Sequence, residues 1–347
     1  MLSRGFKVVS PKTFEIDVES IEAKEGDVIV KVENAAVCKA DLRYYLGQRD
    51  ERILGLKYPM RLIHEATGIV LKDFSGKFKS GDSVVLVPNI CDSKSCDFKH
   101  INNPKLGANY CPKAKFASSN HDGFSSELVC INAENAIAYD RNIIDSNIAV
   151  FSELTSVAIA AIRRVSSLDN KRIGIWGDGI LGYILAQTIK AMGSNVKTVC
   201  VGRHTEKLEM FQCDEMYIAN EIDVKSLELD IAFECIGGSN AANGINEMLE
   251  HVDFGGEIVL TGVSDQGALI NTRRILEKAI SITGSTRSTI EDFKKALEML
   301  KDEEMINKYK KLILSEKEVS NISDYYNAFE MECSNRKLGK NIIKFNL

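Results

Sequence analysis

The chain has 347 residues, 44% hydrophobic and 27% charged, with a net charge of -5. That balance excludes wholesale disorder, and at about 150 residues per domain the length points to two domains. No basic stripe marks a nucleic-acid partner, and neither a membrane span of ~18 apolar residues nor a secretory signal is evident, so a cytoplasmic chain without membrane attachment is expected.

Up to about residue 140 the pattern is of short β-branched strands between turn signals. Asp27–Val32, Gly68–Leu71 and Ser83–Pro88 are examples, the last entered through Ser80-Gly81-Asp82. Several short strands at close spacing predict a barrel-like β unit. Ile148–Val165 then predicts a long helix. Beyond it, apolar strands at Arg172–Trp176, Val196–Val201, Asp230–Glu234 and Glu257–Thr261 alternate with helical stretches such as Leu181–Met192 and Asn243–His251. That alternation predicts βαβ units in a parallel sheet, hence an α/β class overall. An amphipathic helix over Ile290–Lys301 and a strand over Lys340–Phe345 close the chain.

Arg172–Trp176 runs straight into Gly177-Asp178-Gly179-Ile180-Leu181-Gly182 and then an apolar helix. In that setting the glycines permit a tight turn and let backbone N–H groups, those of Ile180 and Leu181 included, approach a pyrophosphate. An NAD site wants an acidic residue about 20 positions further on. Here the strand ends Val201-Gly202-Arg203-His204, with Lys207 beyond. Gly202 leaves room for a 2′-phosphate, and Arg203 can chelate it with His204 or Lys207 nearby, which favours NADP(H). The other reading has Arg203 stacking on adenine.

The nine cysteines of a cytoplasmic chain are expected as reduced thiols, metal ligands or core residues, not as a disulfide framework. Cys38, His64, Glu65 and Glu153 are residue types that suit Zn²⁺. Their wide spacing makes no motif by itself, and buried core residues would look the same.

The order Cys38, His64-Glu65, Glu153 and Gly177-x-Gly179-x-x-Gly182 resembles the zinc-dependent medium-chain dehydrogenase/reductase family over nearly the full length. The resemblance implies a GroES-like domain over 1–147 and 285–347, joined to a Rossmann domain over 148–284. It makes Cys38 and His64 zinc ligands, with Glu65 and Glu153 competing for the remaining place. Asp41 would accept from the ring of His64, and Lys39 and Cys235 would lie near the cofactor. Two departures stand out. Ala40 replaces the Ser or Thr of the family's proton relay, so delivery falls to Glu65, Tyr44 or solvent at the metal. The structural zinc lobe is reduced to Cys91, Cys96, His100 and Cys111, either a Cys₃His site or a relict without metal.

Longer strings narrow the branch. Ala40–Tyr45, Gly47–Asp50, Pro59–Glu65, His121–Phe124, Ile175–Gly179 and Phe233–Gly238 closely resemble the ribulose-5-phosphate reductases of CDP-ribitol synthesis, which serves teichoic acid or capsule. That likeness implies NADPH, a sugar phosphate substrate held by Arg43, Arg49 and Arg287, and a homodimer or homotetramer. A ribitol-5-phosphate cytidylyltransferase is the candidate protein partner. Another zinc-dependent polyol or polyol-phosphate dehydrogenase, sorbitol dehydrogenase-like, is the alternative, and a catalytically silent binding or structural protein of the same fold is a remoter one.

Overall fold

The structure is a computed structural model that describes residues 1–91, 103, 105–224, 226–265 and 267–347. It divides into two compact units, Met1–Asn102 with Gly107–Glu153 and Ser288–Leu347, and Asn103–Leu106 with Leu154–Arg287. No helix among the described residues is long and apolar enough to cross a membrane.

The first unit is built on a seven-stranded sheet. Its order is Ala136–Ala138, Ser83–Leu86, Glu65–Asp73, Asp27–Ala36, Lys340–Phe345 and Ile313–Val319, with Leu128–Asn132 also paired to Asp27–Ala36. Val28, Val30 and Val32 alternate inward along one strand, as period-2 patterning requires, and meet Val70, Val84 and Leu86 in the core. The register matters for the chemistry. Ala36 lies opposite both Glu65 and Ile342, so the ends of three strands meet where Cys38 follows Ala36.

A three-stranded sheet of Thr13–Ser20, Leu2–Ser10 and Met60–Arg61 covers one side. Between it and the helix Ile322–Ser334 lies an aromatic cluster. Phe14 stacks on Tyr45 at 4.9 Å and meets Tyr325 and Phe329 edge-on at 4.7 and 4.9 Å. These contacts tie the C-terminal helix to the N-terminal strands.

The second unit is a parallel six-stranded sheet ordered Glu215–Ile218, Lys197–Gly202, Arg172–Trp176, Leu229–Glu234, Val252–Leu260 and Ser281–Gly284. Arg172–Trp176 is central, and the strands that follow it build first to one side and then to the other. Ligands bind such sheets at this switch point, beyond the carboxyl ends of the strands. Trp176 at that end is fully buried, its Nε1–H donating to Glu247 at 2.8 Å.

Two expectations are corrected. The predicted helix Ile148–Val165 is two helices, Ser146–Ala149 and Ser152–Ile162. Asp145 caps the first, its carboxylate accepting from Asn147 N. The apolar pattern runs through the break because Val150 and Phe151 are buried too. The thiols are also not all reduced. Cys200, in the strand before Gly202, is bonded to Cys213, just past the helix Thr205–Phe211. The intervening helix turns the chain back until the two Cα atoms are 6.2 Å apart, within bridging range.

Phe329 is completely buried in the aromatic cluster. Phe329→Ala is therefore expected to cost ~3–5 kcal/mol, read as a lowered midpoint in denaturant unfolding.

Candidate active site

Among the described residues one trio of metal-donating side chains converges. A donor atom from each of Cys38, His64 and Glu65 lies within 4.8 Å of the others. Cys38 is the N-cap of the helix Lys39–Tyr45, where its backbone N–H donates to Asp41 Oδ2 at 2.9 Å. Asp41 is wholly buried and accepts from three more groups. Ile63 N donates at 3.2 Å, the Ser118 hydroxyl donates to the same oxygen, and His64 Nδ1 lies 3.3 Å away. With Nδ1 so engaged, Nε2 is the nitrogen that His64 can offer a metal.

Burial alone would disfavour a charged His64 imidazole, but Asp41 and Cys38 outweigh it and raise its pKa well above the usual value. The cluster is thus anion-rich and set for positive charge. A soft thiolate, an imidazole and a carboxylate in one dry recess form a donor set that fits Zn²⁺.

Glu65 is fully buried and accepts from Lys340 Nζ through both oxygens, each at 2.6 Å. Lys340 is itself 3% exposed. Glu153 is also buried, and its carboxyl is pushed up to about 7 by burial, with His64 pulling the other way and Glu65 adding to the rise. Both carboxylates thus feel the cluster, and Glu65 is the one whose oxygen joins the trio.

The other candidates divide clearly. Asp41 is held below the ordinary carboxylate range, against its burial, by His64, Ser118 and the Cys38 amide. It therefore orients and does not donate protons. The Tyr44 ring is buried beneath the guanidinium of Arg49, with Cζ 5.0 Å from the ring centroid. Arg43 is half-buried, and its pKa is lowered by burial and then by Arg49, so the two guanidiniums are neighbours. Lys39 is exposed on the first turn of its helix. Arg287 belongs to the second unit, with a left-handed φ of 59°.

For the proposed second metal site, Cys91 keeps its thiol, but Cys111 is disulfide-bonded and brings no thiolate. Cys96 and His100 lie outside the described residues. The Cys₃His reading loses one donor to that bond.

In the second unit the glycines are needed for close approach. Gly177 has φ 125°, and a Cβ there would sit 2.8 Å from the carbonyl oxygen of Cys235. A Cβ on Gly182 would sit 2.2 Å from the Gly177 oxygen. Gly179 caps the helix Ile180–Met192, so the first-turn amides of Ile180 and Leu181 lack helical partners. The Cys235 thiol is pushed up to about 12 by burial, with Thr261 donating to it at 3.4 Å, so it lines the turn as a neutral group.

Arg203 and His204 are exposed and Lys207 is half-buried. A Cβ at Gly202 would lie 2.6 Å from the Cβ of Asp178, so position 202 has no room for a side chain. Sequence reasoning also missed Lys340, Ser118 and Glu234. The buried Glu234 accepts from the amides of Ile236, Gly237 and Gly262, and so joins two loops at the carboxyl edge of the sheet. Lys340 carried no local signal, whereas Asp178 did, as an acid inside a glycine motif.

Comparison with known proteins agrees with this geometry. Residues 24–141 match the Alcohol dehydrogenase GroES-like domain, and residues 181–302 match the Zinc-binding dehydrogenase domain. The chain is 35% identical to ribulose-5-phosphate reductase 1 of Staphylococcus aureus, over 99% of both proteins. The chain belongs to the zinc-dependent medium-chain dehydrogenase/reductase family. A ribulose-5-phosphate reductase of Streptococcus pneumoniae is 34% identical, covering 95% of this chain and 94% of the relative. The crystal structure of S. aureus TarJ in complex with NADPH superposes with a TM-score of 0.85 at 32% identity, over the whole of both chains. The family's two-domain architecture, GroES-like and Rossmann, is the one expected from the strings above.

Lys340→Met would leave a buried carboxylate uncompensated. It is expected to destabilise the metal-free protein, where no cation at the trio compensates Glu65, by ~3–5 kcal/mol in denaturant unfolding. Adding Glu65→Gln should recover much of that loss, because the buried charge goes with its partner.

Proposed function

We propose that this chain reduces D-ribulose 5-phosphate to D-ribitol 5-phosphate with NADPH, for CDP-ribitol synthesis. The observation that carries the proposal is full-length similarity to ribulose-5-phosphate reductases, at 35% identity, in a chain that keeps the Cys38, His64 and Glu65 cluster. A catalytically silent protein would not need to gather three such donors around one point.

Zinc held by Cys38 and His64, with Glu65 or Glu153 completing the set, supplies Lewis-acid polarisation of the C2 carbonyl, and NADPH supplies the hydride. The protein's part is orientation. Asp41 fixes the tautomer and tilt of His64 through the 3.3 Å contact at Nδ1. Lys340 holds Glu65 in place and offsets its charge. Glu153, with its pKa near neutrality, and Tyr44 are the groups to test as proton donors, since Ala40 cannot serve. Gly177, Gly179 and Gly182 let the backbone reach the pyrophosphate, and Arg203 meets the 2′-phosphate.

Burial and the neighbouring Arg49 guanidinium both disfavour the charge on Arg43. A dianionic phosphate between the two guanidiniums offsets this through charge-assisted hydrogen bonds. Arg287 is the third candidate for that role. We place the enzyme in the cytoplasm as a homodimer or homotetramer, with a cytidylyltransferase consuming its product.

Ribulose, lacking the phosphate, should be reduced with a kcat/KM about a hundredfold lower than ribulose 5-phosphate, a gap of about 2.7 kcal/mol. Arg43→Ala should narrow that gap. Equal rates on both sugars would reassign the enzyme to unphosphorylated polyols. NADPH should outperform NADH by about tenfold in kcat/KM, about 1.4 kcal/mol. Elemental analysis should return about one zinc per chain, and Cys38→Ser should remove it together with activity while NADPH binding persists.

A further inference from the structure

In the usual NAD site the acidic residue stands at the end of the second strand, with its oxygens open to the ribose 2′-hydroxyl. Here that position is Gly202, and the acid comes from the other side, from inside the glycine motif. Asp178 Oδ2 accepts from the backbone N–H of Arg203 at 2.7 Å and from that of His204 at 2.8 Å. His204 Nδ1 lies 2.7 Å from the same oxygen. A Cβ at Gly202 would fall 2.6 Å from Asp178 Cβ and 3.1 Å from Cγ. Any side chain at 202 would therefore strike the Cβ of residue 178, and glycine at 202 lets the Asp178 carboxylate reach the Arg203-His204 turn.

We propose that Asp178 determines cofactor preference, by holding the Arg203-His204 turn so that the Arg203 guanidinium meets a 2′-phosphate. The proposal rests on the NADPH reading given above. An acidic side chain beside a phosphate would ordinarily repel it. Oδ2 of Asp178 is different from an open carboxylate because three donors already converge on it, one of them a titratable imidazole. Its charge is spent on fixing the turn, and its side chain is only 14% exposed. Arg203, whose amide is fixed, keeps its guanidinium exposed for the ligand. Sequence position conceals this arrangement, because Asp178 and Arg203 are joined only by the adjacent carboxyl ends of two parallel strands.

The test is direct binding of NADPH and NADH to the zinc-loaded protein by isothermal titration calorimetry, with circular dichroism to confirm folding. Wild type should bind NADPH about tenfold more tightly than NADH. D178A should weaken NADPH by about tenfold and NADH by no more than about threefold, so the preference collapses. D178N, which keeps an acceptor for the two amides, should stay within about threefold of wild type for NADPH. If D178A does not fold, D178S carries the same comparison. An unchanged or increased NADPH preference in D178A or D178S overturns the proposal, and so does an equal loss for both cofactors. Absence of any NADPH preference in wild type overturns the cofactor reading instead.

Discussion

The buried ion pair between Lys340 and Glu65 is the contact on which the rest of the first unit depends. Asp41, Glu65 and Glu153 are three buried carboxyl groups, with the buried His64 and the half-buried Cys38 among them. Stranding a carboxylate there without a cation costs several kcal/mol, far more than a surface pair gains. The compensating charge comes from the far end of the chain. Lys340 reaches Glu65 because the C-terminal strand lies against Asp27–Ala36, which in turn pairs with Glu65–Asp73. The return of the last segment to the first sheet is therefore a requirement of the site's electrostatics as well as of strand pairing.

The second unit answers a different constraint, close approach of backbone to ligand. Gly177, Gly182 and Gly262 each sit where an added Cβ would press on a backbone atom. Glu234 and Asp178 then hold the surrounding turns by accepting from backbone amides. Buried or half-buried carboxylates serve here as fixed acceptors for loops that have no ladder of their own. This leaves positive charge, on Arg203 and its neighbours, as the element that faces outward.

Legibility from sequence followed the range of the interaction involved. Arg172–Trp176 and Lys340–Phe345 read correctly as strands because short β-branched runs bounded by polar residues are a local signal. The helix Ile180–Met192 announced itself through its glycine cap and apolar spacing. The break at Val150–Phe151 did not, since apolar periodicity records burial and both flanking helices are buried. The Cys200–Cys213 bond was likewise invisible: the compartment expected from the sequence argues against disulfides in general, but not against one pair that the fold brings within reach.

Residue identity and order alone pointed to two domains, a parallel dinucleotide-binding sheet, the glycine turn and Cys38 and His64 as donors, with Glu65 and Glu153 competing for a third place, because each of these depends on neighbours close in the chain or on a family pattern carried by strings of residues. Tertiary structure alone decided that Lys340 balances Glu65, that Ser118 joins His64 on Asp41, that Cys111 is spent on a disulfide, and that Asp178 packs directly against Gly202. The physical reason is the same in each case. Charge compensation, hydrogen-bond saturation and steric exclusion act through distances of a few ångströms, and residues dozens or hundreds of positions apart acquire such distances only once the strands have chosen their partners and register.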